Sequence, residues 1–288
     1  MKRLLLLFAM VAFAATGFAQ NKLVVYFSES GTTKKVAEEL SSILREQYER
    51  EDVKKNKKAV FSTWEIELEE PYSGNFQETA QRVQREKQAG TLPRIKPGKE
   101  KLNLADYDII FLGYPIWGGT YASPIVQLLK EYDFTGKKIV PFCTFGSGGL
   151  ESSTADLRKA LPQAEVLTGY GVRAARVDAA RKELLRFLGE NGYISEKLSG
   201  QLKPLPAYSA QQPVTDAEKA IFDAACSSYQ FPLGTPQTFG KRTTDDSIDY
   251  EFKVKSQGFG GGGASTSTIY VTMGKEPDAK PEFTRVVR

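Results

Sequence analysis

The sequence predicts an α/β fold: a doubly wound, five-stranded parallel sheet in the order 2-1-3-4-5, followed by a small α+β domain with one helix and an antiparallel sheet. Three observations carry this. From Lys22 to about Gly192, short apolar runs alternate with helix-length stretches, the pattern of parallel strands joined by crossover helices. Two of the runs, Ile109-Ile110-Phe111-Leu112 and Ile139-Val140-Pro141-Phe142, are apolar without interruption, as strands buried on both faces require. Beyond Pro213 the texture changes to alternating strands with a single helical segment.

Residues 1–19 read as a signal peptide. Lys2-Arg3 precedes the apolar run Leu4 to Phe13, and Gly17-Phe18-Ala19 places small residues where cleavage after Ala19 needs them. The run is too short for a stable bilayer anchor, and no cysteine stands at the cut to take a lipid. The expected product is exported, periplasmic or extracellular, with no membrane span in the mature protein. The α/β domain is expected over residues 20–196. Its strands read Leu23–Phe27, Phe61–Leu68, Tyr107–Gly113, Lys138–Cys143 and Ala164–Gly171. Helices are expected near Thr32–Tyr48, Asn75–Gln88, Ser123–Tyr132, Ser152–Ala160 and Asp178–Glu190. Residues 197–213 read as a linker, since Gly200 to Pro213 is polar and proline-rich. In the last segment, 214–288, Thr215 and Glu218 form a capping-box pattern opening a helix to about Ser227. Strands follow at Ile248–Lys255, Thr266–Thr272 and Glu282–Val287, with a flexible hairpin loop at Gly258–Gly263.

Charge and composition exclude several classes. Removing Lys2 and Arg3 with the leader takes the formal charge from +4 to +2, which leaves no nucleic-acid footprint. The run Lys54-Lys55-Asn56-Lys57-Lys58 follows Glu49, Glu51 and Asp52 and reads as a solvated loop. The chain has no histidine, so histidine triads, histidine metal sites and imidazole bases are ruled out. Its two cysteines, Cys143 and Cys226, could form one disulfide or remain two buried thiols.

Three segments, each directly after a predicted strand at the same sheet edge, carry the candidate chemistry. Ser28-Glu29-Ser30-Gly31-Thr32-Thr33 joins strand 1 to the first helix. The first amides of a helix lack acceptors and its dipole favours negative charge; Ser28, Ser30, Thr32 and Thr33 add hydroxyls, and Gly31 allows close approach. No lysine lies in the turn and the GK[ST] ending is missing, so the turn suits one terminal phosphate held by neutral donors. Gly113-Tyr114-Pro115-Ile116-Trp117-Gly118-Gly119-Thr120-Tyr121 follows strand 3 and offers an aromatic wall for a flat ring, with Trp117 alternatively a cap on the core. Thr144-Phe145-Gly146-Ser147-Gly148-Gly149 follows strand 4 and bares backbone groups toward a ring's polar edge. In a sheet of this order, the ligand crevice lies outside the carboxyl ends of strands 1 and 3.

With these motifs in place, residues 22–193 resemble the flavodoxin family, in its variety with a Pro-Ile-Trp loop after strand 3. Glu70-Pro71-Tyr72 looks like a further family signature. The resemblance implies a flavodoxin-like fold, noncovalent FMN, electron transfer and an unidentified redox partner. It implies that Ser28, Ser30, Gly31, Thr32 and Thr33 hold the phosphate. Pro115, Ile116, Trp117 and Gly118 would line the isoalloxazine, and Thr144, Gly146, Ser147, Gly148 and Gly149 would meet its polar edge. No catalytic residue and no metal ligand is implied. The chain departs from the family in having Gly118-Gly119 where a second aromatic often follows Trp117, in lacking an acidic surface, and in carrying an export signal. Two other functions are therefore weighed. One is a flavin-free fold that binds another phosphorylated or planar ligand or supports the C-terminal part. The other is an FMN-dependent quinone reductase, although no GxGxxG fingerprint is present. Residues 213–288 loosely resemble a cystatin-like module, which implies a packing or partner-binding role only.

Overall fold

β1 (Lys22–Tyr26) is buried at all five positions and pairs in parallel with β2 (Phe61–Glu65) on one side and β3 (Ile109–Trp117) on the other. The computed structural model describes residues 20–55, 60–97, 102–200, 203–229, 231–256 and 265–288. The leader, part of the basic run and the glycine-rich stretch Gly258–Gly263 lie outside the described residues. β3 carries a two-residue antiparallel partner, β4 (Thr120–Tyr121), and pairs in parallel with β5 (Lys138–Phe145). The order is thus β2-β1-β3-β5, with the fifth position shared by β6 (Glu165–Val166) and β7 (Tyr170–Arg173), both parallel to β5.

The expected order holds, but the fifth strand, anticipated as one run over 164–171, is broken. Leu167 N–H donates to Ile139 O at 2.8 Å, and the next donor of the ladder on β5 falls at Pro141, which has none. Pairing resumes only at Phe142, opposite Tyr170. Three other strands also differ in length: β3 and β5 run past their expected ends, and β2 stops early, leaving an isolated bridge between Leu68 and Ile95.

Two apolar layers sandwich this sheet. One holds α1 (Thr32–Lys55) and α5 (Ala180–Glu190), whose Val36, Leu40, Ile43, Leu44, Leu184 and Leu188 pack on Val24, Phe111 and Val140. The other face is covered mainly by α3 (Ser123–Glu131) and α4 (Leu150–Ala160), with Ile125, Leu128 and Leu157 against Leu23, Leu112 and Ile139. α2 (Phe76–Ala89) starts at an Asn75 cap that accepts from the amides of Gln77 and Glu78, and it ends at Gly90 in the left-handed region. α6 (Glu196–Ser199) is a single turn.

In the C-terminal part α7 (Asp216–Cys226) lies on a five-stranded antiparallel sheet. Its strands are β8 (Gln212–Pro213), β9 (Thr235–Thr243), β10 (Ser247–Ser256), β11 (Ser265–Gly274) and β12 (Glu282–Val287), in the spatial order β12-β11-β10-β9-β8. Phe222 and Ala225 of the helix meet Phe252, Val254, Ile269 and Phe283 of the sheet. Thr215 bonds to the Glu218 carboxylate and not to a helix amide. The expected linker joins this sheet: Ser209 N–H donates to Lys241 O at 2.8 Å, and Gln212 and Pro213 pair with Phe239 and Thr238. Both cysteines are free thiols, Cys143 fully buried. Among the described residues, no helix is long and apolar enough to cross a membrane.

Candidate functional site

The turn after β1 leads straight into α1. Gly31 sits at φ +81° and its carbonyl accepts the Lys35 amide at 3.0 Å, the first helical bond. The Ser28 hydroxyl accepts the Lys34 amide at 3.1 Å, as a helix-capping side chain does. Among the described residues, the six amides from Ser28 to Thr33 have no protein acceptor. Six unsatisfied donors at the positive end of a 24-residue helix define an anion cradle. The hydroxyls of Ser30 and Thr32 lie 3.0 Å apart and exposed, available to the same anion. Thr33 differs: its hydroxyl is buried and bonded to that of Thr144 at 2.8 Å, so only its amide is left for a ligand. Lys34, next in sequence, is drawn away into an ion pair with Glu65 at 2.7 Å. That bond raises the Lys34 ammonium above its ordinary value, and with Lys34 engaged by Glu65 the donors of the turn itself are neutral.

The expected loop after β3 is a hairpin. β3 continues through Pro115, Ile116 and Trp117, turns on Gly118 (φ +58°) and Gly119 (φ +88°), and returns as β4, with Ile116 opposite Tyr121 and Trp117 opposite Thr120. Two consecutive residues of positive φ are what a tight hairpin of this twist demands, and only glycines supply them freely. Gly118-Gly119 is thus a structural turn. The hairpin is anchored to α4 by Ser152 Oγ donating to Gly119 O (2.6 Å) and Thr120 Oγ1 donating to Asp156 (2.8 Å). Trp117 stands edge-on to Phe27 and Tyr72, with ring centroids 5.7 and 5.0 Å away. Tyr72 is fixed in turn by Glu86, which accepts its hydroxyl at 2.7 Å, and by the Arg82 guanidinium 4.3 Å over its ring. Arg82 also donates to the carbonyls of Glu70 and Pro71, so the Glu70-Pro71-Tyr72 segment is tied down as one piece. Burial, helped by Glu86, pushes the Tyr72 phenol up and keeps it neutral. A hollow of about 270 Å³ opens beside these rings, lined by Phe27, Ser28, Glu29, Leu68, Pro71 and Tyr72 among others.

The segment after β5 begins with Thr144, which is a strand residue. Gly149, at φ +122°, packs so closely on Ile116 that a Cβ would stand 2.7 Å from Cγ2. The carbonyls of Gly146, Ser147 and Gly149 all accept protein donors: Arg173 Nε at 2.8 Å, the Val286 amide at 2.7 Å and the Ser153 amide at 2.9 Å. The amides of Gly146 through Gly149 have no acceptor among the described residues. Three of the loop's four carbonyls are thus taken by protein donors, whereas its four amides are left for a ligand. The three segments therefore converge through Thr33–Thr144, Phe27–Trp117 and Ile116–Gly149 contacts. Tyr72 and Arg173 lie outside the three sequence segments that carry the expected site. Tyr72 lay inside the Glu70-Pro71-Tyr72 signature, whereas nothing local in the sequence marks Arg173.

The profile of the flavodoxin family matches residues 21–186, more than half of the 288 residues. This chain belongs to the flavodoxin family. Among solved structures, a putative flavoprotein from Bacteroides eggerthii is 26% identical, over 56% of this chain and 94% of its own, with a TM-score of 0.44. One from Bacteroides uniformis is 25% identical, over 57% and 97%, with a TM-score of 0.44. A flavoprotein from Lactobacillus acidophilus, solved in complex with FMN, is 23% identical, over 56% and 97%, with a TM-score of 0.41. No curated protein matches the chain. Family membership assigns a flavin as the cofactor class of this flavodoxin domain. Beyond residue 186 the family profile does not reach, so the C-terminal sheet is an addition to the family's own fold.

Proposed function

We propose that this chain is an exported flavodoxin that holds FMN noncovalently and exchanges electrons with a separate redox partner. One observation carries the choice of FMN: six unpaired amides and two exposed hydroxyls, bonded to each other, in a lysine-free turn at the head of α1, directly after Phe27 of the aromatic cluster. That donor set fits a single terminal phosphate joined to a flat ring. The amides of Ser28 to Thr33 bind the phosphate, and the α1 dipole offsets its charge without a cation. Ile116, Trp117 and Tyr72 bound the ring's apolar side. The amides of the Gly146–Gly149 segment receive its acceptor-bearing edge, where fixed donors stabilise added negative charge. When bound, the flavin supplies one- or two-electron transfer, a chemistry that the side chains of this site lack. Support for export is the leader pattern of Lys2-Arg3, Leu4–Phe13 and Gly17-Phe18-Ala19.

A second reading, a fold that has given up flavin for another ligand or for a scaffolding role, draws on Trp117. Its edge contacts with Phe27 and Tyr72 serve the core whether or not a ring is present. Titration of free FMN with the mature chain (residues 20–288) decides between them. The proposal expects quenched flavin fluorescence saturating at one flavin per chain; flavin that stays free at stoichiometric concentrations selects the second reading. Oxidation of NAD(P)H in the presence of a quinone, added to the same sample, separates a reductase from a passive carrier.

A further inference from the structure

The C-terminal sheet does not hang free of the flavodoxin domain. Its edge strand β12 ends against the Gly146–Gly149 loop. Val286 N–H donates to Ser147 O at 2.7 Å, and a Cβ on Gly148 would stand 2.2 Å from Val286 O. Arg173, the last residue of β7, bridges the two parts from beneath: Nε donates to Gly146 O at 2.8 Å and Nη1 to Phe283 O at 2.9 Å, with the guanidinium 4.3 Å over the Phe283 ring. Two further ion pairs close the seam, Arg176 with Glu282 at 2.9 Å and Arg285 with Glu151 at 3.3 Å.

We infer that the C-terminal module is a working part of the ring site: by holding the Gly146 and Ser147 carbonyls it turns the following amides, those of Ser147 and Gly148, toward the ligand, with Arg173 as the positioning residue. This rests on the FMN reading above and deepens it. A glycine-rich loop left to itself can turn either its carbonyls or its amides toward a ligand, since glycine has little conformational preference. Here the carbonyls of Gly146 and Ser147 are both held, one by Arg173 and one by Val286, and a peptide unit whose carbonyl is fixed on one side presents its amide on the other. The module thus selects which edge of a ring the loop can meet. Donors favour an acceptor-rich edge, and more so as that edge gains negative charge on reduction. The half-buried guanidinium, hydrogen-bonded to the loop itself, adds a positive charge of the same sense. By linkage, a flavin that prefers the loop with these two carbonyls held also tightens the docking of β12.

The test uses the full mature chain with Arg173→Met and Arg173→Lys. The methionine variant keeps the stem over Phe283 but removes both bonds and the charge. The lysine variant keeps the charge but can reach one carbonyl at a time. The expected result is FMN binding about tenfold weaker and a more negative flavin midpoint potential in Arg173→Met, with Arg173→Lys between it and wild type. Hydrogen exchange supplies a readout independent of redox chemistry: FMN added to wild type should slow exchange of the Val286 amide, and Arg173→Met should abolish that slowing. Circular dichroism confirms that each variant is folded. If wild type binds FMN and both variants match it in affinity, potential and Val286 exchange, this inference is overturned while the FMN reading stands. If wild type binds no FMN, both fall together.

Discussion

The buried bond between Thr33 and Thr144 offers a sharp test of how the crevice is built. The two hydroxyls are 1% and 3% exposed as residues and lie 2.8 Å apart. Neither has another side-chain partner among the described residues. Changing Thr33 to Val keeps the shape of the side chain but strands the Thr144 hydroxyl in the core, and the reverse change strands Thr33. Each single variant is expected to lose about 1–3 kcal/mol, the desolvation penalty of one unsatisfied buried group. The double variant has no stranded group and is expected to return to within about 1 kcal/mol of wild type, so the two changes should be strongly non-additive. Urea unfolding followed by tryptophan fluorescence measures this cleanly, because both tryptophans, Trp64 and Trp117, lie in the flavodoxin domain. A double variant whose loss equals the sum of the singles refutes the buried pair. The same proteins test the cradle: the amide of residue 33 survives the substitution, so FMN should bind the double variant within about threefold of wild type. A loss beyond tenfold would show that a threonine hydroxyl, and not the amide alone, meets the phosphate.

Four further outcomes follow from the same geometry. Gly31→Asp places a side chain at φ +81° and a carboxylate among the phosphate donors, so FMN binding should weaken by more than tenfold in a fluorescence titration, with Gly31→Ala losing less. Trp117→Ala should cost about 2 kcal/mol in urea unfolding, below the figure for a fully buried tryptophan because this one is half-buried, and should weaken FMN binding; unchanged affinity would leave Trp117 a core cap only. Burial pushes the Cys226 thiol up to about 12, against the pull of nearby Arg173, and burial also pushes Cys143 up, so neither thiol should react with a disulfide reagent in the native chain at pH 8. Both raised thiols hold their protons more tightly folded than unfolded, so their contribution is complete below pH 9 and is lost as pH rises toward 12; stability measured across that window should fall, and a rise would contradict the burial.

How much of this was legible in the sequence varies with the range of the forces involved. β1, β3 and β5 show as apolar runs because strands covered on both faces must be apolar at every position. The cradle shows because its parts, Ser28 to Thr33, are consecutive and depend on one helix end. The break between β6 and β7 does not show, because its cause, Pro141, lies on the neighbouring strand about thirty residues earlier. β9 is equally hidden: it carries Pro236 and Gly240 and alternates weakly, and the Ser209 backbone crosses it so closely that a Cβ on Gly240 would stand 2.7 Å from Ser209 O. The Gly118-Gly119 turn carries a strong hairpin signal, yet it reads as a loop as long as the strand is ended at Gly113. In the fold Pro115 stays in register, opposite Thr144. The grip of Arg173 and Val286 on the ring loop has no local trace, since it spans 27 residues in one direction and joins two modules in the other.

If the chain is exported unfolded, as proposed, it meets its flavin only after crossing the membrane, and a crevice that forms without the flavin would let folding come first. The contacts that shape the crevice suit that order of events. Thr33 is joined to Thr144, Gly119 to Ser152, Gly149 to Ile116, and Gly146 to Arg173, all by protein groups alone. The conformational entropy of the loops is then lost at folding, which leaves less to be lost at binding. A preformed crevice predicts FMN association in one phase, with a rate linear in flavin concentration, and little change in hydrogen exchange over residues 113–121. A slow phase independent of flavin concentration would mean that these loops order only around the ligand, and that the contacts between them do not hold the crevice open in its absence.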